Sequence, residues 1–420
     1  MSAKQNILVI GGGVIGLSTA YELSRRGASV TVIDKGEPGF GCSYGNAGWI
    51  TPCFALPLPM PGMFLKAVGW LLDPESPLHI HPAADPLLFR WLFGFMRSMR
   101  AGKMRESVRA LTEISKYSLE AYSKLSVETG SEFGFEKKGL LMAAQSPAGV
   151  RAAIQEMELV AAHGVPGRFL TGEETKAFEP ALTGKIEGSV YFPEEAHAEP
   201  LQVVRAFAAG AEKLGAKLLS RTEIYDFEIG RGGHIQSVRT TRGKFVADQY
   251  VLATGSWSHP IARALRLRVP VLGGKGYAMI TPVLSPNPSH PMMLIEKKIA
   301  VTPRQGAQAG TLRIAGTLEL VNGDDSISPR RVNAIVRGAR EFMNVPEEPQ
   351  ILELWRGLRP CTPDGVPIIG RASGFTNLTV VTGHQMLGLQ SAPGSGRLAA
   401  ELVLGEKPTF DPHPFRASRF

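Results

Sequence analysis

The sequence predicts an α/β protein built around a Rossmann-like dinucleotide-binding domain that other structure interrupts. Three observations predict it. "QNILVIGGGVIGLSTAYELSRRG", residues 5–27, joins a short apolar strand to a glycine turn and a helix with apolar residues at helical spacing. "SVTVID" follows as a second strand ending in Asp34. Two distant segments, 199–258 and 377–405, look like returns to the same domain, each offering a buried strand and a helix.

The bulk properties fit such a protein. With 420 residues and 44% hydrophobic composition the chain can bury a large core and should hold two domains. No run of 18 or more apolar residues and no cleavable leader pattern is present, so the expected location is cytoplasmic. Cys42, Cys53 and Cys361 make neither a metal-ligand spacing nor a disulfide framework, and no metal is expected. The net charge of +8 suits an anionic cofactor or substrate, or an anionic membrane face. Nucleic acid is not indicated, because stacked-aromatic and basic-helix motifs are missing.

In the first unit, Gly11 makes the tight turn, Gly13 lets the backbone approach a pyrophosphate, and Gly16 lets helix and strand pack closely. Val14 and Ile15 open the helix, whose N-terminal N–H groups face the phosphates. Asp34, with Lys35 beside it, stands where an acid accepts hydrogen bonds from adenosine ribose hydroxyls and repels a 2′-phosphate. This fingerprint does not separate NAD from FAD. A nicotinamide enzyme would go on to repeat strand–helix units, whereas here "GFGCSYGNAGWITP" and a proline-rich stretch, residues 52–64, break the pattern. Cys42, Ser43, Asn46, Ala47, Gly48, Trp49 and Ile50 form a charge-poor loop suited to touching a planar or phosphate-bearing ligand.

Next comes "DPLLFRWLFGFM", an apolar helix face, and then the basic run "RSMRAGKMRESVRA". The pair reads either as a membrane-surface contact over residues 87–110 or as a helix packed on the core. A helix from Pro200, a glycine stop at Gly215 and a strand come after it. "KFVADQYVLATGSWS" is a buried strand ending at a small-residue turn with Thr254, Gly255 and Trp257. The last unit is a buried strand, a loop carrying His384, Gln385, Met386, Leu387 and Gly388, and a closing helix. Its first turn, placed around Pro393 and Gly394, has no acidic side chain and can stabilise negative charge on a ligand.

Taken together, "VIGGGVIGLSTAYELSRRGASVTVID", "NAGWITP", "PMPG", "VLATGSWS", "GKGYAM", "GLRPCTPDGVPIIG" and "GHQMLG" resemble the D-amino acid oxidase and glycine oxidase superfamily of FAD-dependent enzymes. Within it the likeness is greatest to the bacterial D-amino acid dehydrogenases. The resemblance implies a Rossmann-like FAD-binding domain with an inserted substrate domain of mixed β-sheet plus helices. The FAD part would comprise residues 1–75, 185–262 and 350–420, and the substrate part 76–184 and 263–349. "GKGYAMITPV" and "GTLRIAGTLEL" fit strands of the inserted sheet.

For the site, the resemblance implies that Arg359 of the "GLRP" step lies over the flavin and grips a substrate carboxylate. A guanidinium fork suits that task physically. Tyr277 would assist at the carboxylate or serve as an ordinary strand residue. His384 and Gln385 would face the ring, with a structural histidine as the competing reading. Arg313 and Arg304 are substitutes for Arg359, Trp49 a wall of the ring, and His197 a structural residue at a helix start. Flavin-linked relatives carry a cysteine near the place of Gly357, and here Cys361 adjoins Thr362 instead, so FAD is expected to be noncovalent. The implied reaction is hydride transfer from the Cα of a D-amino acid to flavin N5, giving an imino acid and then keto acid and ammonia. Electrons would pass to a quinone, dye-type or respiratory-chain acceptor, with peripheral contact at the inner membrane. The alternative donor is a cyclic or secondary amino acid such as proline, hydroxyproline, sarcosine or glycine.

Overall fold

The computed structural model describes residues 4–60, 78–80, 86–321 and 323–420. The expected boundary at residues 75 and 76, and the proline-rich stretch beyond Met60, lie outside them. One six-stranded sheet runs in the order Ile368–Arg371, Leu378–Thr382, Gln249–Leu252, Asn6–Ile10, Ser29–Ile33, Lys217–Leu219. All neighbours are parallel except the first pair. Its four central strands read NILVI, SVTVI, QYVL and LTVVT. Burial on both faces explains why these are apolar runs rather than alternations. At the C-terminal end of Asn6–Ile10 the chain departs to one side and later returns on the other, which is where a doubly wound sheet opens a ligand crevice.

The closing helix, Gly388–Leu404, lies across the fingerprint helix, Val14–Arg25. Contact is so close at Gly396 that an added Cβ would stand 2.7 Å from the Ser18 backbone. The helix begins at Gly388 rather than around Pro393, and Pro393 is held inside it. A proline there leaves the Leu389 carbonyl without its helical donor. The Tyr122 hydroxyl donates to that carbonyl at 2.6 Å, and Ser118 Oγ accepts the Gly394 N–H at 3.0 Å. Both partners come from the long helix Ala101–Thr129. The first turn, now at Gly388, still lacks an acidic side chain.

Among the described residues the second sheet has nine strands. Its main path is Glu353–Cys361, Leu272–Pro282, Thr311–Val321, Ile299–Pro303, Met292–Leu294, Leu140–Ala144, Gly188–Phe192, Arg168–Thr171, with Leu78–Ile80 paired to Thr311–Val321. Parallel pairing of Met292–Leu294 with Leu140–Ala144 among antiparallel neighbours makes it mixed. Gly188–Phe192 and Glu353–Cys361 fall in segments the sequence assigns to the nucleotide part, and their hydrogen-bonding partners put them in this sheet instead.

Two details of strand register position side chains near the crevice. Leu272–Pro282 pairs without a break with Glu353–Cys361, so Gly274, Gly276, Ala278 and Ile280 face the same side as their partners Arg359, Gly357, Trp355 and Glu353. Against Thr311–Val321 the register slips: Lys275 pairs with Glu319 but Tyr277 with Gly316. That strand therefore carries one extra residue, a β-bulge at Thr317.

The helix Pro86–Ser98 has two distinct faces. Leu88, Trp91 and Phe95 are buried against Leu272, Leu318 and Leu320, while Phe89, Phe93 and Met96 are exposed beside Arg90 and Arg97. His197 lies in a short strand pairing with Trp49, and the next helix starts at Pro200. Among the described residues no helix is long and apolar enough to cross a membrane.

Candidate active site

The fingerprint loop has the shape its glycines predict. Gly11 adopts φ +114°, and an added Cβ would lie 2.3 Å from the Ala253 carbonyl oxygen. At Gly16 a Cβ would stand 1.9 Å from the Gly11 carbonyl, so side chains are excluded at both positions. Gly13 is different: only Ser43 Oγ comes within 4 Å, at 3.5 Å, which leaves open ground in front of it. Ser43 Oγ accepts the Val14 N–H at 3.1 Å, and the next N–H groups, of Ile15 and Gly16, have no acceptor inside the helix. Asp34 Oδ2 accepts the Gly12 N–H at 2.6 Å and Oδ1 the Gly36 N–H at 2.8 Å. Each oxygen keeps a further lone pair for a ribose hydroxyl. Lys35 lies with Nζ 4.0 Å over the ring of Trp257, at the rim.

Three further loops meet this one. The Asn46 side chain accepts the Gly48 N–H at 2.9 Å and donates to the Met386 carbonyl at 3.1 Å, tying the 42–50 loop to the 384–388 loop. The Gln385 N–H donates to the Pro360 carbonyl at 3.0 Å, and Ser256 Oγ donates to the Leu358 carbonyl. Thr254 Oγ1 pairs with Ser258 Oγ at 3.1 Å, and the Gly255 carbonyl accepts from Thr382 Oγ1 at 3.1 Å. The Ala47 carbonyl accepts from Thr302 Oγ1, and Ile50 pairs with Ala196. Leu387 caps the closing helix, and its N–H donates to the His384 carbonyl at 2.8 Å. The loop around Gln385 offers a group to a ligand: its Nε2 is buried with no hydrogen-bond partner among the described residues. Such a donor costs free energy unless something accepts from it.

Arg359 occupies a distinctive setting. Its guanidinium lies flat over Gly276, where a Cβ would stand 1.9 Å from Nη1, and Nη1 donates to the Thr317 carbonyl at 2.7 Å. Beside it, Trp355 spreads over Gly357 and Gly45, at both of which a Cβ would collide with the indole. Two thiols flank the guanidinium. Burial pushes Cys42 up to about 11 and Cys361 up to about 12, with Arg359 pulling each partly back, so both are neutral. Among the described residues no carboxylate pairs with Arg359. A partly buried cation without a counter-charge is held at a cost, and an incoming anion relieves it.

Arg304 and Arg313 are already engaged. Arg304 bonds Glu199 at 2.9 Å through Nη2 and at 3.2 Å through Nε, and Arg313 reaches the same carboxylate at 3.4 Å. Register also separates Arg313 from Arg359: Arg313 pairs with Ile280, whereas Arg359 pairs with Gly274. Glu199 occupies only one edge of the Arg313 guanidinium, whose Nη1 is buried with no hydrogen-bond partner among the described residues.

Three side chains lie elsewhere than the motifs imply. Tyr277 is fully buried on the opposite face of its strand from Gly276, packed with Met279 and Ile314, and its hydroxyl accepts the Ser328 N–H at 3.2 Å. Strand alternation carries it away from Arg359. The His384 ring is buried, with Nε2 bonded to Ser395 Oγ at 3.0 Å, and burial lowers its pKa to about 3. It is a neutral structural histidine. Trp49 points its indole into the core, where Nε1 donates to Thr302 Oγ1 at 2.8 Å. The residues that composition and motif did not reveal are Gly276, Trp355 and Thr317. Gly276 stands within "GKGYAM" and Trp355 two residues before "GLRP", yet their task emerges only once the two strands are paired.

The family model for FAD dependent oxidoreductases (DAO) matches residues 6–402. A D-amino acid dehydrogenase of Agrobacterium fabrum is 31% identical, with 99% of this chain and 99% of that protein aligned. One from Bradyrhizobium diazoefficiens is also 31% identical, with 99% and 98% aligned. A solved glycine oxidase from Geobacillus kaustophilus, 23% identical, superposes with a TM-score of 0.79 over 99% of this chain and 100% of its own.

Proposed function

The chain belongs to the DAO family of FAD-dependent oxidoreductases, and from that membership we propose that it oxidises the C–N bond of a D-amino acid, passing the electrons to a quinone-type acceptor. The observation that carries the substrate half is Arg359: a guanidinium set over a glycine, with a hydrogen-bonding edge free and no carboxylate to pair it among the described residues. Curated relatives named D-amino acid dehydrogenase support the same reading.

FAD fits the residues present: open ground before Gly13, an acid at Asp34, and a Gln385 Nε2 with no partner among the described residues. Bound FAD supplies the two-electron acceptor for oxidising an amine to an imine, which water then converts to keto acid and ammonia. The protein's part is placement. Arg359 fixes the carboxylate, and a two-pronged grip sets the substrate's orientation as well as its position. The neutral thiols of Cys42 and Cys361 add no charge to compete for that grip. Burial makes His384 a weak base and Ser395 occupies its Nε2, so no role in taking the substrate's amine proton is assigned to it. The exposed Phe89, Phe93 and Met96 beside Arg90 and Arg97 support peripheral contact with an anionic membrane, where a quinone would be met.

The test is anaerobic addition of D-alanine, L-alanine and D-proline, separately, to purified holoenzyme while the visible flavin band is followed. Bleaching by a D-isomer and not by L-alanine supports the proposal. Bleaching by L-alanine alone would overturn it. Asp34→Ala is expected to weaken FAD binding about tenfold, through loss of charge-assisted bonds worth about 1.5 kcal/mol. The ratio of flavin to protein absorbance after gel filtration reports this, and an unchanged ratio would remove Asp34 from the ribose role.

A further inference from the structure

The residue that holds Arg359 in place is itself in an unusual state. Thr317 adopts φ +61°, a left-handed conformation that a β-branched side chain disfavours. It is the extra residue of the bulge between the Lys275–Glu319 and Tyr277–Gly316 pairs. Bulges of this kind re-aim a peptide group, and here the Thr317 carbonyl leaves the ladder to accept from Arg359 Nη1 at 2.7 Å. Its hydroxyl oxygen is buried with no hydrogen-bond partner among the described residues. Strain at the backbone and an idle polar atom on the same residue are two separate costs, and both are borne next to a guanidinium that has no carboxylate partner among the described residues.

We propose that Thr317 serves the substrate twice: its bulged carbonyl positions the Arg359 guanidinium over Gly276, and its hydroxyl is a second hydrogen-bond donor for the substrate carboxylate. This rests on the reading of Arg359 as the carboxylate-binding residue. Serine keeps the hydroxyl, valine keeps the shape and the branch, and glycine keeps the carbonyl while relieving the left-handed strain. The three replacements therefore separate the contributions.

The experiment uses holoenzymes bearing Thr317→Ser, Thr317→Val and Thr317→Gly, with Arg359→Leu alongside. An inert carboxylate, benzoate, is titrated into the oxidised proteins and read by the flavin spectrum, and kcat and KM are measured with the amino acid that bleaches the flavin. Valine and glycine are expected to weaken benzoate about tenfold alike and to raise KM more than they lower kcat, and serine to restore both. Wild-type affinity in the valine and glycine proteins, with Arg359→Leu still defective, overturns the hydroxyl role and leaves the Arg359 reading intact. Wild-type affinity in Arg359→Leu overturns both. A defect in valine that glycine repairs assigns the effect to backbone strain and also overturns the hydroxyl role.

Discussion

Arg359→Leu is expected to retain FAD and fold, yet to lower kcat/KM for the amino acid about thirtyfold or more. The loss corresponds to about 2 kcal/mol for removing a charge-assisted pair. Leucine fills part of the volume over Gly276 and removes the side-chain donor to the Thr317 carbonyl. Arg304 and Arg313 are poorly placed to rescue it, because both are bonded to Glu199 and Arg313 pairs with Ile280, far along the strand from the Gly274 that pairs with Arg359. Steady-state kinetics with the flavin content measured on the same sample check this. A normal KM with full flavin would show that the carboxylate is held elsewhere. Gly276→Ala should act in the same direction while leaving Arg359 in the sequence: the added methyl occupies the place of Nη1 and expels the guanidinium, a flexible group that can move, so the fold survives.

Gly11→Ala is expected to be strongly damaging. The methyl would overlap the Ala253 carbonyl, which is backbone and cannot step aside, and alanine also resists φ +114°. Strain of about 3 kcal/mol or more should lower the thermal midpoint and give a protein that purifies colourless. Gly13→Ala makes the contrast. A Cβ there meets only Ser43 Oγ at 3.5 Å, so the apoprotein should melt at about the wild-type temperature while failing to hold FAD, because the methyl takes the ground a pyrophosphate needs. Thermal scans of the two apoproteins separate a folding glycine from a ligand-approach glycine. Equal melting of both variants would contradict the division.

What the sequence disclosed and what it hid depend on how local each feature is. Strand, glycine turn, helix and Asp34 lie within residues 6–34, and their chemistry is readable because neighbours in sequence are neighbours in space. Arg359 stands out through a loop motif, but its choice over Arg313 needed Glu199, which reaches Arg313 from 114 residues away. Tyr277 illustrates parity: a strand residue faces one side or the other, and only the pairing of Gly276 with Gly357 decides which. Helix starts fail for a related reason. Proline usually marks a first turn, and Pro393 is tolerated in a helix interior because Tyr122 and Ser118, on another helix, satisfy the groups it disturbs. Thr317 had no signature, since a β-branched residue in a left-handed bulge runs against its own propensity.

The first sheet draws its strands from residues 6–33, 217–252 and 368–382, which sets a timetable for biosynthesis. A ribosome finishes the glycine loop early, but the strand Leu378–Thr382 emerges on the order of tens of seconds later at ordinary elongation rates. Until then the Gln249–Leu252 strand lacks its outer neighbour, and the fingerprint helix lacks the Gly388–Leu404 helix that covers it. Such far-separated pairings close slowly and leave apolar edges open to chaperones and to aggregation meanwhile. A nascent chain stalled before residue 388 would hold Gly11, Gly13 and Gly16 and still lack the helix that packs across them.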